Sequence, residues 1–289
     1  MFHYKTLEDV SIEVLHEAFI DAFSDYQVKF DLPMSKFQGM LQRRGYSSSI
    51  SVGAFKDERL VGFVLNGFRD WNGRPTVYDL GTGVIGKYRR QGITSSILSY
   101  LKELLREKDI EQYLLEVIKT NTSAFQLYDK QGFEVIREFS CFKLDRNAYQ
   151  PRGDYQIQAV DGFEADEWER LKGFWDYMPS WQNSDASIKA LANEFRYSVV
   201  KLDGVIAGYG IMDKRSGDIA QLAVDRRYRR RGIASTIMSD LILHTEGERV
   251  TILNVDERDE GMIHYLLSAG FVTTLGQYEM LLKIKKDYS

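Results

Sequence analysis

Two segments of this chain place arginines, a glycine and the start of an apolar helix in the same order. Residues 88–101 read YRRQGITSSILSYL and residues 228–241 read YRRRGIASTIMSDL, with nine of fourteen positions identical. A basic, glycine-containing turn that leads into a helix presents free backbone N–H groups and a favourable dipole to an anion. Glycine lets the backbone approach closely, and arginine donors suit phosphate. The pattern therefore predicts a site for a diphosphate-bearing cofactor.

Other phosphate-binding motifs fit this region less well. Gly81, Gly83 and Gly86 match the spacing G-x-G-x-x-G after a predicted strand, which is the context of a dinucleotide site. The third glycine precedes the predicted helix, however, and the equivalent residues 220–225 contain no glycine. No Gly-Lys-Ser/Thr follows either, which excludes a P-loop nucleotide triphosphatase.

The similarity between the two segments extends to a second landmark. A Gly-Phe pair begins at Gly132 and again at Gly270, an offset of 138 against 140 for the arginine segments. Two landmarks that occur in the same order and at nearly the same offset indicate two copies of a domain of about 140 residues. Residues 146–154 hold a proline and a glycine, which are typical of a linker. The predicted domains are residues 1–147 and 154–289.

Hydrophobic periodicity predicts alternating strands and helices in each copy. In the first copy, a helix is expected over 92–108, then a buried strand over 113–118, then a helix capped by Asn121. In the second copy, a helix is expected over 186–195. The predicted fold class is α/β (or α+β), with one sheet domain used twice.

Composition limits the possible partners. The chain has 289 residues, a formal charge of −4 and a single cysteine, Cys141. The acidic balance argues against nucleic acid as a partner, and one cysteine excludes an intrachain disulfide and a cysteine-based metal site. The sequence shows neither a signal peptide nor an apolar run of about 20 residues. We therefore expect a soluble cytoplasmic protein with no membrane partner and no metal.

At this point the motifs resemble those of the GNAT superfamily of N-acetyltransferases. Its acetyl-CoA motif, Arg/Gln-x-x-Gly-x-Gly/Ala, lies between a strand and a helix. The three positions are occupied by Arg229, Gly232 and Ala234 in the second copy and by Arg89, Gly92 and Thr94 in the first. Thr94 departs from the small residue of the motif, which places a branched side chain where the diphosphate approaches.

A later family segment, Asn-x-x-Ala-x-x-x-Tyr-x-x-x-Gly-Phe, is matched in full only by the first copy. Its residues there are Asn121, Ala124, Tyr128, Gly132 and Phe133. The second copy keeps only the Gly-Phe pair, with Leu266 at the tyrosine position. Tyr265 lies one residue out of register, about 100° around a helix, and is expected to face elsewhere. We therefore expect the first copy to be catalytic and the second to be degenerate.

The resemblance implies an acetyl-CoA-dependent N-acetyltransferase that transfers the acetyl group directly to a primary amine of an unidentified small-molecule or peptide acceptor. It implies a mixed, mostly antiparallel sheet flanked by helices, whose fourth and fifth strands splay apart to admit the cofactor. No metal is involved. The cofactor-binding residues implied are Val84, Ile85, Arg89, Arg90, Gln91, Gly92, Ile93, Thr94 and Asn121. The backbone N–H groups of the first two are the expected donors to the thioester carbonyl.

Two catalytic side chains are proposed for the first copy. Family analogy makes Tyr128 the acid that protonates the departing thiolate. Glu116 lies among apolar neighbours on the preceding strand, where a carboxylate can gain a raised pKa and accept a proton from the amine. Asp79 and a chain of waters remain alternative bases. The segment 25–30 is expected to border the acceptor site.

Two other functions remain open. The chain could be a non-catalytic protein that binds CoA or a partner. In that case Thr94 and Leu266 reflect a loss of catalytic activity. It could also be an aminoacyl-tRNA-dependent peptide-bond former, because such enzymes resemble paired GNAT domains. The intact loop from Arg229 to Ala234 and the charge of −4 count against this third interpretation.

Overall fold

The computed structural model describes residues 1–25 and 32–284, which separate into two compact units. Unit 1 comprises Met1–Ile136 with the segment that begins at Tyr278, and unit 2 comprises Arg137–Gln277. Each unit combines strands and helices, as predicted. The strands are β1 (His3–Thr6), β2 (Val52–Lys56), β3 (Arg59–Asp70), β4 (Pro75–Val84), β5 (Gln112–Ile118), β6 (Glu134–Asp145), β7 (Gln158–Val160), β8 (Phe195–Leu202), β9 (Val205–Asp213), β10 (Ile219–Val224), β11 (Arg249–Asp256) and β12 (Val272–Lys283). The helices are α1 (Ile12–Phe23), α2 (Met34–Arg44), α3 (Ile93–Glu107), α4 (Thr122–Lys130), α5 (Ala165–Lys172), α6 (Asp185–Lys189), α7 (Ile233–Leu243) and α8 (Glu260–Ser268).

In unit 1 the strands follow the order β1-β2-β3-β4-β5-β12. The pairs β1–β2, β2–β3 and β3–β4 are antiparallel, whereas β4 and β5 are parallel. Helix α3 covers this sheet because its apolar residues recur every three or four positions. Ile97, Leu101 and Leu105 are completely buried in the core of the unit. The expected mixed sheet flanked by helices is confirmed.

Unit 2 repeats this plan. Strands β7 to β10 form an antiparallel sheet in the order β10-β9-β8-β7, and β6 pairs with β11 and β12. Helix α7 buries Ile237, Met238 and Leu241 against the sheet. Between β10 and β11 there is only an isolated bridge, from Asp218 to Thr251.

The chain passes between the two units at two places, both inside strands. Strand β6 passes from unit 1 to unit 2 after Ile136, and β12 returns to unit 1 at Tyr278. No glycine or proline interrupts β6, so the sequence shows no break there. The proline-containing segment that suggested a linker lies against α7 instead, where the Arg152 backbone N–H donates to Ser239 Oγ.

One predicted helix is wrong. Instead of a helix over 186–195, the chain forms the short α6, and β8 already begins at Phe195. The side chain of Ser184 caps α6 at its N-terminus. At alternate positions of β8, the side chains of Phe195, Tyr197 and Val199 are buried. Their packing in the sheet prevails over the local helical pattern.

Within the described ranges, no helix is long and apolar enough to cross a membrane. No three His, Cys, Asp or Glu side chains in the same part of the chain are grouped so that they could hold a metal ion. The Cys141 thiol is buried and donates to Asn254 Oδ1 at 3.7 Å.

Candidate active site

Strands β4 and β5 of unit 1 run side by side only at their first residues. Their parallel register covers Thr76 to Tyr78 of β4 and goes no further. Immediately beyond it, a bulge in β4 shifts the register with β3, so that Asn66 lies opposite Asp79 and Leu65 opposite Gly81. A bulge inserts one extra residue and re-aims the side chains beside it. The splay expected from the family therefore begins at Asp79.

The bulge brings Asp79 and Thr82 together, although strict alternation would place residues three apart on opposite faces. Thr82 Oγ1 donates to Asp79 Oδ2 at 2.6 Å, and Tyr128 Oη donates to the same oxygen at 3.2 Å. Asp79 is 9% exposed, and its Oδ1 is buried without a hydrogen-bond partner among the described residues. Burial raises the pKa of Asp79 to about 6, against the lowering effect of the two hydroxyl bonds.

Tyr128 reaches this carboxylate from α4. The helix starts where Asn121 Oδ1 accepts the Ala124 N–H, and the Tyr128 ring packs edge-on against Phe133 at 5.6 Å. Tyr128 is 7% exposed. Burial, followed by the neighbouring Asp79 charge, raises the pKa of its hydroxyl well above 10. The side chain is therefore a neutral hydrogen-bond donor near pH 7.

Glu116, the base favoured from sequence, is half-buried on β5. It is hydrogen-bonded to Tyr78, whose pKa is raised by burial first and by Glu116 second. The carboxylate that is hydrogen-bonded to Tyr128 is thus that of Asp79, the second candidate base from the sequence. The one signal for this role in the sequence is that Asp79 is the acidic residue of β4. The bulge that directs its side chain toward Tyr128 cannot be recognised in a single sequence.

The loop before α3 has the open geometry that a diphosphate requires. Gly92 has φ +76°, and a Cβ at this position would meet nothing within 4 Å. No side chain caps α3, so the N–H groups of its first turn face outward. Arg90 and Gln91 are exposed here, and Thr94 is half-buried. Ile93 differs, because its side chain is 2% exposed and belongs to the core.

Of the two predicted carbonyl-polarising donors, one is already engaged. The Ile85 N–H donates to Val61 O at 3.0 Å and is therefore engaged within the sheet. Val84 lies opposite Gly62 in the same register. In such an antiparallel ladder, the N–H of the residue before a bonded one points away from the partner strand. The Val84 N–H is therefore directed toward the splay beside β5.

The motif arginine does not point freely into this loop. Arg89 Nε donates to Val84 O at 3.0 Å, and Nη2 donates to Ala22 O at 2.7 Å. Its Nη1 and Nη2 also bond both oxygens of Asp25. With these donors engaged by protein groups, Arg89 fixes the loop onto the end of α1. Through these bonds Arg89 positions the loop, and its direct contact with the cofactor stays a prediction.

Unit 2 contains the same arrangement. Arg229 Nε donates to Val224 O at 2.9 Å, Nη2 to Phe174 O at 2.8 Å, and Nη1 to Asp176. Arg89 and Arg229 thus use one bonding pattern in the two units, which accounts for an arginine at this position in both copies. The planar guanidinium spans three acceptors that a lysine could not reach together.

Other motif residues also have structural roles. Asn121 Oδ1 is engaged as the cap of α4, where it also accepts from Ser123 Oγ.

Gly81 and Gly83 lie within β4 rather than around a phosphate. A Cβ at Gly83 would lie 2.6 Å from the Phe63 ring, so this glycine permits packing. The acceptor-bordering segment 25–30 lies, except for its first residue, outside the described residues.

Unit 2 holds a cavity of about 810 Å³ between the separated strands β10 and β11. Its lining includes Arg229, Gly232 and Ala234 of the loop before α7 and the buried polar side chains of Asn183, Gln221 and Asn254. The sequence pattern does not reveal this polar part of the lining, because Asn183, Gln221 and Asn254 come from three distant segments.

The chemistry of the unit 1 pair is absent from the matching positions of unit 2. Ile219 occupies the position of Asp79, before an equivalent bulge, and the fully buried Leu266 occupies that of Tyr128. Tyr265, one residue out of register, lies beside Ser235 of α7 and also lines the unit 2 cavity.

Comparison with known proteins agrees with this architecture. The family model described as "Acetyltransferase (GNAT) family" matches residues 12–133 and again residues 161–271. A GCN5-related N-acetyltransferase 6, chloroplastic, of Arabidopsis thaliana is 36% identical over 61 residues. That alignment spans 21% of this chain and 21% of the plant protein, about a fifth of its length.

Two solved structures show the same fold over nearly the whole chain. A GCN5-related N-acetyltransferase from Sphaerobacter thermophilus has a TM-score of 0.73 at 14% identity, covering 98% of this chain and 96% of its own. A tandem GNAT protein from the clavulanic acid biosynthesis pathway has a TM-score of 0.72 at 15% identity, covering 99% and 100%.

Fold and motif together define a chain with two acyltransferase-type domains. The chain belongs to the acetyltransferase (GNAT) family, in a tandem arrangement.

Proposed function

We propose that this protein is an acetyl-CoA-dependent N-acetyltransferase, and that unit 1 transfers the acetyl group to a primary amine of a small molecule or peptide. The observation that carries the proposal is the buried Asp79–Tyr128 pair at the start of the splay between β4 and β5. It combines a proton acceptor and a proton donor at the place where this family's cofactor enters.

Asp79 acts as the base. Its Oδ1 has no protein partner among the described residues, while Oδ2 is held by Thr82 and Tyr128. The free oxygen accepts the proton that the attacking amine must lose. A carboxylate with a pKa of about 6 is ionised near pH 7 and is yet basic enough to take part. Glu116, bonded to Tyr78, remains the alternative base.

Tyr128 acts as the acid. Its hydroxyl donates to Asp79 while that carboxylate is ionised. Once Asp79 holds a proton, this bond loses its charged acceptor and weakens. The hydroxyl then donates its proton to the leaving thiolate of CoA and takes up the proton that Asp79 holds, so both groups return to their starting forms. The Val84 N–H, directed into the splay, supports the negative charge that develops on the thioester oxygen.

Incubation with acetyl-CoA and a panel of primary amines tests the proposal. CoA thiol release and the mass of the acetylated product are measured, with the N,N-dimethyl form of each amine as its control. We expect release and an added acetyl group only with primary amines. Binding of acetyl-CoA without transfer to any amine would favour the non-catalytic alternative.

A further inference from the structure

The bulge of β4 brings the hydroxyl of Thr82 to Asp79. Side chains alternate between the two faces of a regular strand, so residues 79 and 82 would point in opposite directions. Leu80 is the extra residue of the bulge, and it returns Thr82 to the face of Asp79. Thr82 Oγ1 donates to Asp79 Oδ2 at 2.6 Å, a shorter contact than the 3.2 Å from Tyr128 Oη. Thr82 is thus the nearer of the two hydroxyl donors to this oxygen.

This contact determines which oxygen of the carboxylate is open. Two hydroxyls, from Thr82 and Tyr128, hold Asp79 Oδ2 at once. Asp79 Oδ1 is buried without a hydrogen-bond partner among the described residues. Rotation of the carboxylate would exchange the two oxygens, but it would break both hydroxyl bonds. Oδ1 therefore stays the oxygen that can receive a proton.

Thr82 also stabilises the charged form of Asp79. Burial raises the pKa of Asp79 to about 6, and the strongest opposing effect is the hydrogen bond from Thr82, followed by that from Tyr128. The Gly81 backbone N–H and the Arg44 guanidinium, on α2, act in the same direction more weakly. Among these groups, the neutral hydroxyl of Thr82 thus contributes most to keeping the carboxylate ionised.

Two buried tyrosines, Tyr78 of β4 and Tyr113 of β5, also face Asp79. Burial is the first cause of their raised pKa values, and the charge of Asp79 is a further cause in both. For Tyr78, the charge of Glu116 acts more strongly than that of Asp79. Both tyrosines are neutral near pH 7, so they do not replace Thr82 as a stabiliser of the carboxylate.

Unit 2 lacks all three members of this network at the matching positions. Its bulge lies in β10, where Ile219 pairs with Met212 and Gln221 pairs with Ile211. Counting from this bulge, Ile219 matches residue 79 and Leu222 matches residue 82, while Leu266 matches residue 128. The bulge itself is thus retained where the carboxylate and both hydroxyls are replaced by apolar side chains. The bulge does not require a threonine, which links Thr82 to the carboxylate rather than to the backbone.

We infer that Thr82 is a positioning residue of the unit 1 site, whose hydroxyl holds Asp79 Oδ2 and leaves Oδ1 to accept the proton of the amine. Thr82 acts through Asp79 and not on the substrate. The inference rests on the proposed role of Asp79 as the base, but the effect of Thr82 on the carboxylate can be measured without acetyl transfer.

NMR of the full-length protein with ¹³Cγ-labelled aspartate follows this carboxylate, and the signal absent from Asp79→Asn identifies it. In the unsubstituted protein we expect it to titrate near pH 6. Thr82→Val keeps the branched shape but removes a hydrogen bond to a charged group, so the titration should move up by about one pH unit. The ionised fraction at pH 7 would then fall from about nine-tenths to about half. The rising limb of kcat/KM should move with it.

Two further variants separate the hydroxyl from packing. Thr82→Ser keeps the hydroxyl and should titrate near pH 6 again. Thr76→Val makes the same change on the same strand, at a fully buried residue whose hydroxyl donates to Arg74 O at 2.9 Å. It should leave the titration of Asp79 unchanged. If Thr82→Val does not fold, Thr82→Ala takes its place with the same expected result.

An unchanged titration without the Thr82 hydroxyl would overturn the inference, as would an equal change in Thr76→Val or no recovery in Thr82→Ser. A shifted titration with an unshifted limb of kcat/KM would also overturn it, because Thr82 would then act on a carboxylate that is not the base. A shifted titration in a protein that acetylates no amine would support the hold of Thr82 on Asp79 and contradict the proposed function instead.

Discussion

Tyr128 Oη lies 3.2 Å from Asp79 Oδ2, and this contact joins α4 to the bulge of β4. The two groups share a buried environment that favours their neutral forms, and it raises the pKa of both. Their hydrogen bond therefore couples the protonation of one group to the donor strength of the other. Four predictions follow from the coupling and from the loop beside it.

Asp79→Asn should remove the proton acceptor of unit 1. We expect kcat/KM to fall by about 10²–10⁴-fold, which is typical for loss of a general base. In the unsubstituted protein, kcat/KM should rise with pH through about 6, because Asp79 must be ionised to accept a proton. Initial rates from pH 5 to 8 would show this limb, and Asp79→Asn should lack it. If Glu116→Gln rather than Asp79→Asn removed the limb, the base would be Glu116.

Tyr128→Phe should lower kcat with little effect on the KM for acetyl-CoA, because the hydroxyl acts on the leaving thiolate. In the double variant with Asp79→Asn, the losses should be less than multiplicative, since the two groups act as a unit. Tyr113→Phe is the matched control. Tyr113 is also buried, but its hydroxyl donates to Asn66 Oδ1 at 2.8 Å. An equal loss in both variants would point to packing rather than proton transfer.

Asp79 should also make the stability of the protein depend on pH. Its folded-state pKa is raised from 3.8 to about 6, so the folded state binds a proton more tightly than the unfolded state. Stability should therefore decrease as pH rises from about 4 through 6, by on the order of 3 kcal/mol from this group. Asp79→Asn should abolish that part of the dependence. Denaturant unfolding at pH 5 and 7.5 measures it, and an unchanged difference in the variant would contradict the assignment.

Arg89→Lys should loosen the cofactor loop, because lysine cannot bond Val84 O, Ala22 O and Asp25 together. We expect the KM for acetyl-CoA to rise about ten-fold while kcat changes little. Arg59→Lys is the control, since Arg59 forms an exposed pair with Asp21 and such pairs contribute little. Equal effects of the two substitutions on KM would contradict the positioning role.

The fold followed from patterns that a sequence displays directly. The repeated arginine–glycine segments located both cofactor-type loops, and the apolar spacing of Ile97 and Leu101 located α3. The passage of β6 from one unit to the other could not be predicted, because an uninterrupted strand has the same sequence pattern whether it lies in one unit or in two.

The site was predictable only in part. The spacing of the family segment identified Tyr128, but its partner depends on a bulge that brings Asp79 and Thr82 to one side. The engagement of Arg89 by Asp25 and Ala22 is also a long-range contact. Likewise, the unit 2 cavity is lined by Asn183, Gln221 and Asn254, which come from three distant segments of the chain.

Calorimetric titration with acetyl-CoA, combined with the transfer assay, tests most directly whether unit 1 is the catalytic unit. Gly92→Trp and Gly232→Trp form a matched pair, because both glycines have positive φ and open space where a side chain would project. We expect Gly92→Trp to abolish binding to unit 1 together with amine acetylation, and Gly232→Trp to leave acetylation unchanged. Loss of acetylation with Gly232→Trp alone would show that the chemistry resides in unit 2 and would contradict this account.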